Sequence, residues 1–176
     1  TTTTDVSIVI SAAASASTTV SPGFSTAFIG AGTDVATSDV SISAISTASN
    51  TPAATIAVRT YNASGTSFPV AESITATISG AGLLSFGGIS GSSLTIAGTG
   101  SSNISVLPNG VAGTATITIT TPTRSFAAKS MTFYAVAPTT LVASVSAPLA
   151  NIGTNSDVVR VTATDAAGVS WNGTLY

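Results

Sequence analysis

Apolar and hydroxyl-bearing residues alternate one by one along several stretches of this chain, and this alternation limits its fold more than any other feature. Ile74, Ala76 and Ile78 are separated by Ser and Thr, and the stretch 114–120 repeats the pattern. Successive side chains of a β-strand point to opposite faces, so these stretches predict strands with one apolar and one polar face. We therefore expect antiparallel sheets that are packed on one side and solvated on the other.

Clusters of Gly, Pro, Asn and Asp interrupt the alternating stretches at short intervals. Examples are Pro22-Gly23, Gly80-Ala81-Gly82, Pro108-Asn109-Gly110 and Asp165-Ala166-Ala167-Gly168. Such clusters mark turns, and their spacing leaves about seven short strands per unit. No stretch has the period of an amphipathic helix. The sequence therefore predicts an all-β protein, an Ig-like antiparallel β-sandwich.

An internal similarity at an offset of roughly 103 residues suggests more than one unit. The stretch Val58–Thr66 matches Val161–Val169 as a strand followed by Asn or Asp, Ala, a small residue and Gly. At the same offset, Val40–Ala44 matches Ala143–Ala147. An Ig-like domain has about 100 residues, so the offset fits units in tandem.

This offset divides the chain into one complete unit flanked by partial units. We predict that residues 1–16 are the last strand of a preceding unit and a linker, and that residues 17–136 are the complete sandwich. Residues 137–176 are then the first strands of a following unit. Because half a sandwich leaves its apolar face uncovered, we expect either a longer chain or a neighbouring molecule to complete it.

Three stretches resemble the bacterial Ig-like domains of the invasin and intimin type. They are Glu72–Leu84 around a Gly-x-Gly turn, Asn109–Ile119 and the closing stretch Lys129–Tyr134. Ala81 stands where these domains usually have Pro. The resemblance begins near Ser25 and covers most of the chain after it. It implies a unit of the kind found in tandem in surface-layer and other large cell-surface proteins of aquatic actinobacteria.

Composition argues against several classes of function. Only 6% of the residues are charged, and four basic residues spread along the chain do not form the patch that nucleic acid needs. The absence of His and Cys removes the commonest general base and the best nucleophile, so we expect no catalytic site. No stretch reaches the ~18 apolar residues of a membrane span.

Calcium is the one cofactor that we consider, with Asp34, Asp39 and Asp157 as candidate ligands near the edges of the predicted unit. Ca²⁺ takes six to eight oxygen ligands, usually from several carboxylates, and these residues are not clustered in sequence. The alternative is that they form turns and caps. We therefore expect no cofactor unless these three meet in space.

Covalent modification has several candidates. Glycosylation sequons occur at Asn62, Asn103 and Asn172, which is no more than chance gives in a chain that is roughly one-third Ser and Thr. Lys129 and Glu72, the only Lys and the only Glu, lie in or beside predicted strands and are candidates for an autocatalytic Lys–Asn isopeptide, as in Gram-positive surface domains that resemble this architecture. The alternative for this pair is that both side chains reach solvent.

An aromatic pair, Trp171 and Tyr176, follows the turn at Asp165. It marks either a binding surface or a plug in a sandwich core or a domain interface, and of these we expect the core.

These features predict a non-catalytic, extracellular structural protein that packs with copies of itself into a surface layer or filament. The uncharged strand with Val6, Ile8 and Ile10 is a candidate for exchange into a neighbouring molecule by β-strand addition. The alternative is an adhesin stalk or a phage virion decoration domain that binds cell-surface glycans.

Overall fold

The computed structural model describes residues 17–65, 69–146, 152–154, 156 and 158–173. In this part of the chain every regular element is a β-strand, and two five-stranded sheets contain the first ten. Their bounds are β1 (Thr26–Ala31), β2 (Ser43–Ile45), β3 (Ala54–Arg59), β4 (Ser73–Gly80), β5 (Leu83–Phe86), β6 (Ile89–Gly91), β7 (Ser93–Ala97), β8 (Ser101–Leu107), β9 (Gly113–Thr120) and β10 (Lys129–Tyr134). Two further strands, β11 (Thr140–Val145) and β12 (Val159–Thr164), pair with each other. The described residues contain no helix long and apolar enough to cross a membrane.

The two sheets have the strand order of an Ig-like sandwich. The first runs β1-β3-β8-β5-β6 and the second β2-β10-β9-β4-β7. If β1, β3, β4, β5, β8, β9 and β10 are read as strands A to G, the first sheet contains A-B-E-D and the second G-F-C, the constant-type arrangement. The prediction of an all-β, Ig-like sandwich is therefore confirmed.

The sandwich has ten strands in place of the seven that turn spacing predicts. A hairpin through Gly87 and Gly88 adds β6 to one sheet, and the returning strand β7 then pairs with β4 in the other. The tenth strand, β2, pairs in parallel with β10, so the second sheet is mixed. Strands β2 and β6 have three residues each, too few for a clear alternating pattern.

The core lies between the sheets and follows the alternation in the sequence. In β4 and β9 every second residue is buried, and the residues between them are mostly exposed Ser and Thr. The largest fully buried side chain is Phe133 on β10. The other large side chains of the core are Ile29, Ile56, Val58, Ile74, Leu84, Ile104, Val106, Ile117 and Ile119.

Strand β3 departs from the simple pattern because both of its faces are buried. Alternation predicts that Thr55 and Ala57 face solvent, yet their exposed fractions are 4% and 2%. The loop after β1 folds over this side of the sheet, and the Thr55 hydroxyl donates a hydrogen bond to the carbonyl of Gly32 at 2.7 Å. Burial of Thr55 is therefore compatible with its polarity.

Candidate functional site

The most distinctive polar site is the turn after β3, where Asn62 joins the sandwich to the chain that enters it. Asn62 is fully buried, and its Nδ2 donates to the carbonyl of Ser17 at 2.8 Å. Its Oδ1 accepts from the backbone N–H of Ser64 at 2.9 Å, and its carbonyl accepts from Gly65, whose φ is 105°. Asn favours such turns because its side chain bonds to backbone two residues further on. One side chain thus shapes the turn and fixes the entering chain.

The turn after β12 is built in the same way around Asp165. Asp165 is only 3% exposed, and its Oδ2 accepts from the backbone N–H of Ala135 at 2.8 Å. Its Oδ1 accepts from Ala167 at 2.9 Å and from Val169 at 3.0 Å. Its carbonyl accepts from Gly168, as that of Asn62 accepts from Gly65. The described chain therefore contains two turns of one design, each holding the connector that precedes its own strand pair.

The difference between the two residues follows from what each connector offers. The connector at Ser17 presents a carbonyl oxygen, which needs the amide donor of Asn62. The connector at Ala135 presents an N–H group, which needs an acceptor such as the carboxylate of Asp165. Desolvation raises the pKa of Asp165, but the N–H groups of Ala135, Val169 and Ala167 outweigh it and lower the pKa below its ordinary value.

The backbone around the two turns matches as well. Each connector donates an N–H to the carbonyl of the residue just before Asn62 or Asp165. After each turn, a further N–H donates to the carbonyl two positions before Asn62 or Asp165. The pairs are Ser21 N to Tyr61 O (2.7 Å) with Thr139 N to Thr164 O (2.9 Å), and Val70 N to Thr60 O (2.9 Å) with Trp171 N to Ala163 O (2.9 Å). Isolated bridges also match, Tyr61 with Pro69 and Thr164 with Ser170.

This match corrects one of the two sequence similarities. The stretch after Val58 and the stretch after Val161 do occupy equivalent positions. The pairing of Val40–Ala44 with Ala143–Ala147 is wrong, because the first lies at β2, which pairs in parallel with β10. Strand β11 pairs antiparallel with β12 as β1 does with β3, so β1 is its counterpart. The loops between the paired strands differ in length, so a comparison at one fixed offset does not align β11 with β1.

Trp171 lies against the connector. Its indole Nε1 donates to the carbonyl of Val136 at 3.3 Å, and the side chain is half-buried. Among the described residues Trp171 therefore lies at the junction with the connector, and its core position stays a prediction; Tyr176 lies outside the described residues. As the only Trp of the chain, Trp171 is a specific reporter of this junction.

The structure does not bring the three candidate calcium ligands together among the residues that it describes. Asp39 Oδ2 lies 2.8 Å from Lys129 Nζ, and its Oδ1 accepts from the N–H of Ile29 at 3.0 Å. Asp34 is exposed in the same loop, and Asp157 lies outside the described residues. Among the residues that the structure describes, no three His, Cys, Asp or Glu side chains come together. Both Asp39 oxygens thus have protein partners, and calcium at this loop stays a prediction.

The structure does not bring Lys129 and Glu72 together. Lys129 pairs with Ile117, which pairs with Ile78 on β4, so Lys129 sits about 20 Å along the strand direction from Glu72. Lys129 is 4% exposed and paired with Asp39, whereas Glu72 accepts from the Thr123 hydroxyl. The structure therefore does not support a Lys–Asn isopeptide that uses both Lys129 and Glu72. The alternative of a solvent-facing Lys129 is wrong, because its buried ammonium pairs with the half-exposed Asp39.

The three sequons differ in accessibility. Asn62 is buried and both of its side-chain polar atoms are bonded, so a glycan there would require the turn to unfold. This geometry argues against Asn62 as a glycosylation site. Asn103 is exposed on β8, where its Oδ1 accepts from Arg59 at 2.9 Å. Asn172 is exposed beside Trp171. The exchange strand of Val6, Ile8 and Ile10 lies outside the described residues.

The basic residues do not form a shared surface patch in the described chain. Arg59 bonds to the carbonyls of Val58 and Ser102, and Lys129 is buried. Arg124 donates to the carbonyls of Pro22 and Ser25 and lies over the Phe126 ring at 5.0 Å. Three of the four basic side chains thus stabilise the sandwich.

Comparison with known proteins adds little. No family model matches the chain, and no curated protein matches it. A solved structure entitled "Structure of Yersinia pseudotuberculosis InvD" aligns with 13% identity over 87% of this chain and 44% of the other, with a TM-score of 0.40. The chain thus spans less than half the length of that protein. At this TM-score the fold assignment rests on strand order alone.

Proposed function

We propose that this chain is a non-catalytic structural module of an extracellular bacterial surface assembly, a surface layer or filament built by packing of Ig-like domains. The observation that carries the proposal is the recurrence of one junction, with Asn62 at one copy and Asp165 at the other. A turn that binds the connector to the unit that follows it is useful in a protein whose units are joined in series.

The junction supports this role because it sets the direction in which one unit leaves another. The connector between β10 and β11 is held at Ala135 by Asp165 and at Val136 by Trp171. With two successive residues bonded to the same turn, the connector behaves as a short, fixed link and not as a flexible one. Fixed links give a regular spacing between units, which an ordered assembly requires.

The outer face of the second sheet supports close packing. Strands β4, β7 and β9 contain no charged residue, and their exposed side chains are mainly Ser and Thr. Thr77 and Thr118 on neighbouring strands share a hydroxyl hydrogen bond at 2.6 Å. A neutral face avoids like-charge repulsion between copies, and its hydroxyl groups supply donors and acceptors. We propose this face as a contact surface between copies.

The test is to measure the mass of the purified chain by light scattering over a range of concentrations, alongside its binding to an array of cell-surface glycans. The proposal predicts reversible growth in mass with concentration and no glycan binding. Substitution of the outer-face residues Thr77 and Thr118 by Lys is expected to suppress the growth, whereas Lys in place of exposed Ser144 is not. A monomer at every concentration with affinity for glycans would favour the adhesin or virion alternative.

A further inference from the structure

The β11–β12 pair has one entirely apolar face, and this face is exposed. Strand alternation and the register Val145 to Val159 place every second residue of both strands on the same side. The exposed fractions are 56% for Leu141, 70% for Val145 and 50% for Val161. The six residues of this face are Leu141, Ala143, Val145, Val159, Val161 and Ala163. The opposite face carries Thr140, Val142, Ser144, Arg160, Thr162 and Thr164.

The same positions are buried in the sandwich. The matching turns make Thr164 the counterpart of Tyr61, which makes Val161 the counterpart of Val58 and Val159 that of Ile56. The partner strands keep this relation, since Val58 pairs with Ala27 and Val161 with Ala143. The sandwich counterparts of the six residues are Ser25, Ala27, Ile29, Ile56, Val58 and Thr60, and none is more than 4% exposed.

In the sandwich these positions are covered by the second sheet. Ala27, Ile29, Ile56 and Val58 share one core cluster with the inward-facing residues of β4, β9 and β10. A two-stranded sheet is marginally stable by itself in water and needs a packed face to persist. The uncovered face of the β11–β12 pair therefore has the size, register and chemistry of one half of such a core.

We propose that the apolar face of the β11–β12 pair is a docking surface for a sheet of the β4-β9-β10 kind, supplied in the same polypeptide after Trp171. The inference rests on the proposed modular function. It names the sheet that packs against the strand pair held by the Asp165 junction. A second copy of the described sandwich does not supply this sheet, because its own β4, β9 and β10 are already packed against β1 and β3. The occupant is thus a further set of strands with alternating Ile, Ala and Thr.

The test uses the chain's own second sheet. Because Trp171 stands where Val70 stands, a chimera is made in which residues 1–171 are followed directly by a second copy of residues 71–134. The measurement is amide hydrogen exchange in β11 and β12, compared with the unmodified chain. The proposal predicts slowing on the order of 1,000-fold, since core amides of a folded domain of minimal stability reach that protection. Residues 17–134 serve as the internal control for folding.

Two neighbouring substitutions separate docking from general effects. In the chimera, Val161→Arg puts a charge on the apolar face and is expected to abolish the added protection. Thr162→Arg is expected to retain it, because Arg59 occupies the equivalent position in the sandwich. In the unmodified chain neither substitution is expected to change the stability of residues 17–134, because Val161 is half exposed there.

Two outcomes overturn the proposal. One is a chimera whose β11–β12 amides exchange as fast as those of the unmodified chain while residues 17–134 stay protected. The other is protection that appears only in exchanged dimers, which would mean that the sheet comes from another molecule. Neither outcome bears on the self-association of the unmodified chain, so failure here is distinguishable from failure of the proposed function.

Discussion

Asn62 and Asp165 occupy equivalent positions after a β-strand, and each reaches back to the connector that leads into its own strand pair. The Asn62 amide donates to the carbonyl of Ser17, and the Asp165 carboxylate accepts from the N–H of Ala135. The two side chains are near-isosteric, but their hydrogen-bonding capacities are complementary to different backbone groups. The pair therefore gives sharp predictions about exchange of one for the other.

At the first junction, Asn62→Asp places a carboxylate against a carbonyl oxygen in a fully buried site. Asn62→Ala leaves buried backbone groups without partners, for which we expect a loss of about 1–3 kcal/mol of unfolding free energy. Asn62→Asp is expected to cost more, because it adds a buried charge. Urea denaturation measures both, and Asn103→Ala on the exposed face of β8 is the control, expected within about 0.5 kcal/mol of wild type. Equal losses for Asn62→Ala and Asn103→Ala would contradict the assignment.

At the second junction, the stability contributed by Asp165 depends on pH. The folded-state pKa is lowered relative to the unfolded value of about 3.9, so the contribution is complete above that value and is lost as pH falls through the lower folded value. Trp171 fluorescence reports this change, because its indole bonds to Val136 in the same connector. We expect an acid transition in the fluorescence that is absent in Asp165→Asn. A transition that persists unchanged in Asp165→Asn must come from other groups.

The ion pair of Lys129 and Asp39 links the start of β10 to the loop after β1. Lys129 is 4% exposed, whereas Asp39 is 48% exposed, so water screens the pair in part. Asp39→Asn leaves a buried ammonium without its counter-charge and is expected to cost about 1–2 kcal/mol. Lys129→Met removes the charge and fills the same space, so we expect a smaller loss. Thermal unfolding of both variants checks the order of the two stability losses, with the exposed Asp34→Asn as control. A larger loss for Lys129→Met than for Asp39→Asn would contradict the prediction.

The turn between β4 and β5 requires glycine for two separate reasons. Gly80 has a φ of 84°, and a Cβ there would lie 2.0 Å from the carbonyl oxygen of Thr114. Gly87 also has a positive φ, of 60°, but a Cβ there meets nothing within 4 Å. Gly87→Ala is therefore expected to cost about 1–2 kcal/mol for backbone strain alone. Gly80→Ala is expected to cost clearly more, as measured by the urea midpoint. Similar losses for the two variants would mean that the spacing between β4 and β9 adjusts freely to the added methyl group.

Glycan mapping tests the burial of Asn62 independently. When the chain is expressed in a host that glycosylates Asn-x-Ser/Thr sequons, we expect glycans at Asn103 or Asn172 and none at Asn62. Peptide mass mapping of folded protein gives the answer. A glycan at Asn62 in protein whose unfolding midpoint is unchanged would contradict the arrangement of the turn.

The sequence predicted the strands whose alternation is long enough to read. The pattern through Ile74, Ala76 and Ile78 predicted β4 almost to its ends, and that through Ile117 and Ile119 predicted β9. It did not reveal the burial of Asn62, because Asn after a strand ordinarily lies in an exposed turn. Nor did it reveal the ion pair, because Asp39 and Lys129 lie 90 positions apart and meet only where the segment that leads into β2 runs beside β10.

The central claim is that this chain is a building unit of an ordered extracellular assembly. Electron microscopy of the purified protein at high concentration tests it most directly. The account predicts sheets or filaments with a regular repeat, which the charged substitutions at Thr77 and Thr118 disrupt and the control at Ser144 leaves intact. Dispersed particles of single-chain size under all conditions, from protein that binds cell-surface glycans, would contradict it.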